Sequence, residues 1–426
     1  MMLDMQKRLN NSFYATLSLP STAMGFALCI QISALSWILS TRFNLKIDEI
    51  GIVWAAGPLA GIFGQVIIGL ISDDAWFWGG RRRPFILIGG TLAALMVFLL
   101  PRIDVVSHLL GIKNILIVAV IIALTLDLSI NISFNPTRSI IADLTPEGEA
   151  RTRGYTWMQT VSGFFGVMAY VIGATLGNDV LISVGAGIVF VFSVVPMFFI
   201  KEEREVVKKT ETAVATRADW GQLWRIYIAH GFAWLGVQSM FVYTYGFIQQ
   251  KLVPAGLATK AADAMSGQII AYSFAVMNTV GFLLPALVLA PLARRIGRVH
   301  TQAACVAIMA VGYFLIAATA RTPMMLYALM AVVGIGWSAI VSLPFAIMSD
   351  KVDKSRMGFF MGVFNLSVVL PQLMSSTGVG FVLKRVPDQS TLYIICGASL
   401  AISAALWCLV KDEAPATQAA MPAPAH

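Results

Sequence analysis

Asp127 is the acidic residue whose position most clearly indicates chemistry. Of the 22 acidic residues, it alone lies deep inside a long apolar segment, within the sequence LTLDLSI, whereas the others lie in polar segments or near the ends of apolar ones. An ionisable group in such surroundings is costly and is functional by default. Burial favours the neutral form of a carboxyl group, so Asp127 is a candidate for reversible proton binding. The alternative is an aspartate held permanently by neighbouring donors for packing.

Helical spacing places two further polar residues on the face of Asp127. At about 100° per residue, Asn131 is displaced by about 40° and Arg138 by about 20°. Arg138 would lie about 16 Å along the axis, too far for a direct ion pair, so a substrate or a chain of water could lie between them. The alternative for Arg138 is an anchor at the membrane surface that pairs with Asp143.

Neutral amides and aromatic rings form a second group with binding chemistry. Amides within apolar segments either join helices or hydrogen-bond a polyhydroxylated ligand, and aromatic rings can stack on a sugar. No cationic cluster of the kind that a phosphate ester needs accompanies them. The predicted substrate-binding residues are Gln31, Trp54, Asn131, Gln159, Gln238, Tyr243, Trp337 and Asn365. Further amides within apolar segments are Gln65, Asn278 and Gln372.

The composition around these residues is that of a membrane protein. Charged residues make up 12% of the 426 residues, against about 25% in a soluble domain, and the apolar set AVILMFWYC makes up 58%. These values exclude a disordered chain, a disulfide scaffold and a basic nucleic-acid-binding domain. No Gly-Lys-Ser/Thr phosphate loop occurs, and neither a cofactor nor a metal site is predicted.

The chain contains twelve segments of the length and apolarity that a membrane-spanning helix needs, which is about 20 residues. They are Ala15–Ser40, Ile50–Ile71, Phe85–Leu100, Asn114–Phe134, Gly154–Leu176, Val180–Ile200, Leu223–Ile248, Met265–Leu289, Thr301–Ala320, Met324–Met348, Met357–Val382 and Leu392–Val410. With the N terminus inside, 21 of the 30 Lys and Arg residues fall on cytoplasmic segments and 9 on the opposite side. Because basic residues collect on cytoplasmic loops, twelve spans with both termini in the cytoplasm are predicted.

The spans divide into two similar halves. A charged segment follows the sixth span, and the loop GGRRRPF after span two has a weak counterpart, LARRIGRVH, after span eight. We therefore predict an all-α membrane protein with two pseudo-symmetric six-helix bundles. The predicted units are a bundle at residues 1–200, a cytoplasmic linker at 201–222, a second bundle at 223–411 and a disordered tail at 412–426.

Several motifs resemble those of sucrose/proton symporters, a glycoside-transporting group with the major facilitator fold. The stretch WAAGPLAGIFGQVIIGLISDDAWFWGGRRRPFI (Trp54–Ile86) is similar to the second and third helices of that family, and LDLSINISFNPTRSIIADL (Leu126–Leu144) is similar to the fourth. GIGWSAIVSLPFAIMSD (Gly334–Asp350) and GVFNLSVVLPQ (Gly362–Gln372) extend the resemblance into the second half.

The resemblance implies roles for particular residues. Asp127 would be the proton-binding carboxylate, and Arg138 would act in coupling or sugar binding. The residues that would form a cytoplasmic gate are Asp73, Arg81, Arg82, Arg83 and Asp143. Val167 stands where the plant members have an asparagine in helix five, so sucrose and maltose both remain open as substrates.

The leading hypothesis is a proton-coupled importer of a disaccharide, not an enzyme. Its partners would be the sugar, the proton and the lipid bilayer, and it would be a monomer in a bacterial inner membrane. A sodium-coupled glycoside symporter is the alternative for the ion, although a sodium site requires several oxygen ligands. A drug/proton antiporter and a sugar sensor that does not transport are alternatives from other classes.

Overall fold

The computed structural model describes residues 4–61, 71, 76–146, 149–202, 219–349, 351–352 and 357–411. Within these ranges the secondary structure is helical, with loops and one isolated β-bridge between Phe77 and Gly80. The predicted all-α membrane fold is thereby confirmed for the part of the chain that is described. Residues 203–218 and 412–426, which include most of the predicted linker and the whole predicted tail, lie outside these ranges.

The described part of the first half contains nine helices with the following bounds, besides a helical stretch at residues 56–61. They are α1 (Asp4–Arg8), α2 (Asn11–Thr41), α3 (Ile47–Trp54), α4 (Arg83–Leu99), α5 (Ile103–Leu110), α6 (Ile115–Leu144), α7 (Glu149–Leu176), α8 (Asn178–Val194) and α9 (Pro196–Phe199). The chain is helical again over residues 56–61, after a break at Ala55. The N terminus of α2 is capped because the Asn10 side chain accepts a hydrogen bond from the Phe13 backbone N–H at 2.8 Å.

The second half contains nine more. They are α10 (Trp220–Lys251), α11 (Thr259–Leu284), α12 (Ala290–Ile296), α13 (Arg298–Thr319), α14 (Pro323–Ile340), α15 (Leu343–Ser349), α16 (Met357–Met374), α17 (Gly380–Leu383) and α18 (Thr391–Trp407). Two π-helical turns, Pro285–Leu289 and Ser375–Val379, join α11 to α12 and α16 to α17. Such turns interrupt the regular backbone ladder and are frequent at functional sites.

Nine helical segments in the described residues are long and apolar enough to cross a membrane. Three of the twelve predicted spans are not among them. The second lies largely outside the described residues. The seventh, α10, is 32 residues long, but His230, Gln238 and several aromatic rings reduce its hydropathy. The twelfth, α18, is apolar but has only 17 residues.

Polar contacts join the two halves at one face of the bundle. We call the face where α2 begins the amino-terminal face, and the face where α2 ends the distal face. At the distal face, Ser36 Oγ donates a hydrogen bond to the Val242 carbonyl at 2.8 Å, and the Trp37 indole donates to the Asp263 carbonyl at 2.7 Å. These bonds cross from α2 to α10 and α11, so they hold the halves together on that side.

Gly51 permits the closest approach of the halves at the distal face. A Cβ atom at this position would collide with the Ser376 carbonyl oxygen and the Tyr243 hydroxyl. Ser376 belongs to the π-helical turn Ser375–Val379, and its carbonyl also accepts a hydrogen bond from Tyr243 at 2.5 Å. The absence of a side chain at Gly51 is therefore required for this packing.

We expect Gly51→Ala to prevent the distal face from closing as described. Overpacking at such a contact costs about 1–3 kcal/mol, enough to shift a two-state equilibrium several-fold. Spin labels on cysteines replacing Lys46 and Lys260, in a cysteine-free background, should report a longer distance by pulsed electron paramagnetic resonance. Gly187→Ala is the matched control, because a Cβ there meets no atom within 4 Å. An unchanged distance in Gly51→Ala would contradict the assignment.

An ion pair adds to the closure of the distal face. Lys384 Nζ lies 2.7 Å from Asp48 Oδ2 and joins the second half to the first. Pairing with Lys384 lowers the pKa of the Asp48 carboxyl. For a carboxylate with a lowered pKa, the stabilisation is present above its ordinary value of about 3.9 and is lost as pH falls through the lowered value.

In an Asp127→Asn background, which removes protonation of that side chain, the distal label distance should therefore not change between about pH 5 and 8. Lys384→Gln should favour the distal-open state only slightly, by up to about fivefold in population, since an exposed ion pair contributes about 0–1 kcal/mol. Arg385→Gln is the control, because the Arg385 guanidinium lies over the Phe381 ring. A pH-dependent distance in this range in the Asp127→Asn background, or equal effects of the two variants, would argue against the ion pair as a closing contact.

Candidate functional site

A cavity of about 420 Å³ lies between the two halves. The first half contributes residues from α2, α3, α6 and α7, and the second half contributes residues from α10, α11, α14 and α16. The volume is within the usual range of small-molecule sites, about 300–1,000 Å³. The polar and aromatic residues that line it are Gln31, Trp54, Asp127, Asn131, Phe134, Tyr170, Trp234, Gln238, Phe241, Asn278, Trp337, Asn365 and Gln372.

Asp127 lies in the wall of this cavity and is 6% exposed. The Gln31 amide nitrogen donates a hydrogen bond to Asp127 Oδ2 at 3.0 Å. Gly57 leaves room for the carboxylate, since a Cβ atom there would lie 3.3 Å from Oδ2. An amide N–H can donate to a carboxyl oxygen in either protonation state, so Gln31 can orient the group without fixing its charge.

Asn131 and Arg138 follow Asp127 along the same helix. The Asn131 side chain donates to the Asp127 carbonyl at 2.8 Å and lines the cavity. Arg138 is exposed, and its guanidinium lies 4.1 Å from the centroid of the Phe134 ring. Phe134 itself lines the cavity. Helical spacing thus places Arg138 beyond Phe134, toward the amino-terminal face.

The second half supplies neutral hydrogen-bonding groups. Gln372 donates to Gln238 at 3.3 Å, and the Trp337 indole donates to Asn278 at 3.2 Å. Asn365 also lines the cavity. Because each amide has both donor and acceptor atoms, this wall can hydrogen-bond a ligand that carries hydroxyl groups.

Three aromatic rings stand edge to face on the same wall. Trp234 and Trp337 have centroids 5.9 Å apart at an interplanar angle of 82°. Phe241 and Trp337 are 5.4 Å apart at 86°. Gly281 makes room for Trp337, because a Cβ there would lie 2.7 Å from an indole carbon. The ring geometry is therefore set by direct packing.

Seven of the predicted proton-coupling and substrate-binding residues come together in this cavity. They are Gln31, Trp54, Asp127, Asn131, Gln238, Trp337 and Asn365. Three others, Arg138, Gln159 and Tyr243, do not line it in the described part of the chain. Gln159 is exposed, and Tyr243 is buried at the distal face with its hydroxyl on the Ser376 carbonyl. Helical phase separates Gln159 and Tyr243 from the cavity, whereas Arg138 is separated from it by distance along α6. Helical phase is not visible in residue type alone.

The predicted gate residues that are described form a cluster within the first half, at the amino-terminal face. Arg81 Nη2 lies 2.9 Å from Asp143 Oδ2, and Arg82 Nε lies 3.2 Å from the same oxygen. Asp143 thus pairs with these residues, rather than with Arg138 as in the anchor alternative. Arg83 belongs to the same loop, where its backbone N–H donates to Glu202. Asp73 lies outside the described residues.

The predicted set of substrate-binding residues leaves out four that line the cavity, although Asn278 and Gln372 were noted as amides within apolar segments. Tyr170, Trp234, Asn278 and Gln372 all line the cavity. Trp234 lies four residues before Gln238 on α10, so helical periodicity from Gln238 could have identified it. Glu202 was also missed, although its carboxylate accepts backbone N–H bonds from Arg81, Arg82 and Arg83 at 2.7–3.0 Å.

A buried histidine, His230, accepts a hydrogen bond from the indole of Trp234 on the side away from the cavity. The Trp234 indole donates to His230 Nε2 at 2.9 Å, and His230 stacks on Phe364 with centroids 4.8 Å apart. Because Nε2 accepts, the neutral ring carries its hydrogen on Nδ1. His230 is 2% exposed, and Nδ1 has no hydrogen-bond partner among the described atoms. His230 therefore acts as a neutral acceptor that orients a cavity residue.

Two helical halves with a polar cavity between them define a membrane transporter. The chain belongs to the Major Facilitator Superfamily, whose sequence profile matches residues 17–376. The predicted membership of this superfamily and its all-α membrane fold are thereby confirmed, and the protein is a multi-pass membrane transporter.

Curated relatives resemble the chain at low identity. Sucrose transport protein SUC4 of Arabidopsis thaliana is 22% identical over 391 residues, covering 77% of this chain and 76% of that protein. The general alpha-glucoside permease of Schizosaccharomyces pombe is 29% identical over 174 residues, covering 37% of this chain and 31% of the permease.

Solved structures resemble the chain in fold. The nucleoside transporter NupG has a TM-score of 0.71 at 12% identity, covering 94% of this chain and 99% of NupG. The POT family transporter PepTSo has a TM-score of 0.65 at 11% identity, covering 94% and 98%. At these identities, the likeness shows the architecture alone.

We expect His230→Phe to lower the free energy of unfolding by about 1–3 kcal/mol, because it leaves the Trp234 indole N–H buried without an acceptor. His230→Gln retains an acceptor oxygen and should cost less. Thermal unfolding in detergent, with tryptophan emission as the signal, would measure both. His108→Phe is the control, since His108 is exposed. Equal losses in the two His230 variants would show that the hydrogen bond is not the stabilising contact.

Proposed function

We propose that this transporter imports a disaccharide, either sucrose, maltose or a related α-glucoside, together with protons by alternating access. The main support for this proposal is the setting of Asp127. Its carboxylate accepts a hydrogen bond from Gln31, and its cavity is otherwise lined by neutral side chains, including amides and aromatic rings. Among the described lining residues it is the one carboxylate, and no lysine, arginine or histidine accompanies it. That arrangement suits a neutral hydroxylated substrate and a single protonatable group.

The cost of a buried charge provides the coupling. A carboxylate without a paired cation is expensive to enclose, whereas the protonated form is not. The cavity therefore closes and reopens more readily when Asp127 carries a proton. Sugar hydroxyls would bind to Gln238, Asn278, Asn365 and Gln372, and rings such as Trp337 would contact the sugar's C–H faces. Proton and sugar would then cross together, because each favours the enclosed state.

The sides of the membrane follow from the basic residues. We assign the amino-terminal face to the cytoplasm and the distal face to the outside, with both chain termini inside and the protein acting as a monomer in a bacterial inner membrane. The contacts Ser36–Val242, Trp37–Asp263 and Asp48–Lys384 then close the outer side. In the other half of the cycle these contacts would part, while contacts at the cytoplasmic ends, including the Arg81–Asp143 region, would form the inner gate.

Sodium coupling is the second candidate for the ion. A sodium ion requires several oxygen ligands at short range. Asp127 is the one carboxylate lining the described cavity, and its described side-chain neighbour, Gln31, presents an amide nitrogen to it. The proton is therefore the favoured ion.

We expect Asp127→Asn to abolish sugar accumulation driven by a pH gradient while leaving sugar exchange at equal pH. Asparagine keeps the size of the side chain and a hydrogen-bonding oxygen for Gln31 but cannot carry a proton. The measurement is uptake and counterflow of labelled sucrose and maltose in proteoliposomes, with and without sodium. Asp104→Asn is the control, because Asp104 is exposed on α5.

Uphill uptake in Asp127→Asn at the parent rate would contradict the proton role, and a strict requirement for sodium would favour the sodium symporter. If neither uptake nor counterflow of any glycoside is measured, the drug/proton antiporter and the sugar sensor remain as alternatives. Those two are separated by testing whether proton movement is driven by lipophilic cations in the same vesicles.

A further inference from the structure

A second cavity of about 370 Å³ lies at the distal face, on the other side of the closing contacts from the central cavity. We call it the distal pocket. The first half lines it with the end of α2 and the start of α3, and the second half lines it with the end of α10 and the start of α11. Its volume, like that of the central cavity, is in the range of small-molecule sites.

A hydrogen-bonded partition separates the two cavities. The Trp54 indole lines the central cavity and donates to Ser36 Oγ at 2.9 Å. Ser36 lines the distal pocket and donates in turn to the Val242 carbonyl. The distal pocket therefore exists in this form only while the halves are closed at this face.

The polar groups of the distal pocket are held in defined orientations. The Gln249 amide nitrogen donates to Tyr245 Oη at 2.6 Å and to Ser266 Oγ at 3.2 Å. Both hydrogens of that nitrogen are thus used, so the Gln249 amide oxygen is the atom that can accept from a ligand. Tyr245 Oη accepts from Gln249 and also has Ser40, another residue of the pocket lining, as a side-chain hydrogen-bond partner.

The lining chemistry favours a neutral ligand rich in hydroxyl groups. Ser40, Thr41, Asn44 and Thr259 add hydroxyls and an amide, and Asp263 adds a carboxylate. Among the described residues that line the pocket there is no lysine, arginine or histidine, so an anion finds no counter-charge. Tyr245, which is 7% exposed, adds an aromatic ring. These are the groups that recognise sugars in other settings.

We propose that the distal pocket is a second, low-affinity site for the transported glycoside, occupied from the outside while the outer face is closed. This inference rests on the proposed function for the identity of the sugar. A ligand that contacts both halves here binds the closed outer face and not the open one, so it shifts the equilibrium toward the closed state. The carrier must reopen outward to take up its next substrate. External sugar at high concentration therefore inhibits its own uptake.

The first experiment measures initial uptake of labelled maltose and of labelled sucrose in proteoliposomes over a wide range of external concentrations. In the parent protein we expect the rate to rise, pass through a maximum and fall to about half of the maximum or less as the distal pocket fills. Gln249→Ala and Tyr245→Phe should abolish the fall while leaving the half-saturating concentration of the rising phase within about twofold. Experiments at constant osmolality remove the effect of vesicle shrinkage.

Gln250→Ala is the matched control. Gln250 is the neighbouring amide on α10, but it donates to the Pro387 carbonyl at 2.6 Å and does not line the distal pocket in the described structure. It should retain the fall at high concentration. A purely hyperbolic curve in the parent protein, or a fall that persists in Gln249→Ala and Tyr245→Phe, would overturn the proposal.

Direct binding separates this proposal from the proposed function. Equilibrium dialysis of labelled maltose and sucrose against purified protein in nanodiscs should show two molecules per chain. One should be lost in the double variant Gln31→Ala, Gln238→Ala, and the other in Gln249→Ala. Two sites without transport would refute the importer but support the distal pocket. Transport with a single site that Gln249→Ala leaves intact would refute the distal pocket alone, and absence of binding at every concentration would refute both.

Discussion

The free-energy cost of one carboxyl group inside the membrane is the physical constraint on which the proposed mechanism depends. Asp127 is 6% exposed, and its described side-chain partner is the neutral amide of Gln31 rather than a cation. The absence of a side chain at Gly57 leaves room for the carboxylate. A charge in that position is tolerated only if the cavity can admit water, and a proton removes the restriction. The proposed coupling follows directly from this physical constraint.

The two halves supply different chemistry to one cavity. The first half brings Asp127 with its amide neighbours Gln31 and Asn131, and the second half brings amides and indoles without a formal charge. The side chains that the second half contributes are oriented by contacts outside the cavity, such as the hydrogen bond from the Trp234 indole to His230. An ion site and a ligand site on opposite halves are coupled whenever the halves must meet for both to be enclosed.

Closure at the distal face links this chemistry to conformational change. Trp54 contacts the central cavity and also hydrogen-bonds Ser36, which holds the Val242 carbonyl across the interface. Gly51 and the π-helical turn at Ser375–Val379 allow the backbones to approach there. Residues of the central cavity are thus one hydrogen bond from the contacts that would part in the proposed transport cycle. In the proposed mechanism, such a short connection would let occupancy of the cavity bias the closure.

The amino-acid sequence by itself determined the membrane class and the position of Asp127 inside an apolar segment, because apolar length and an isolated acid are properties of composition and order. The division into two halves, the charged face and the role of Asp127 were predicted from the same properties. The sequence also predicted Gln31, Asn131, Gln238 and Asn365, which share the interior of the spans. Only the tertiary structure decided that Trp234 lines the cavity while Gln159 and Tyr243 do not. Which side of a helix faces a cavity depends on how helices rotate against their neighbours, and spacing within one helix does not contain that information.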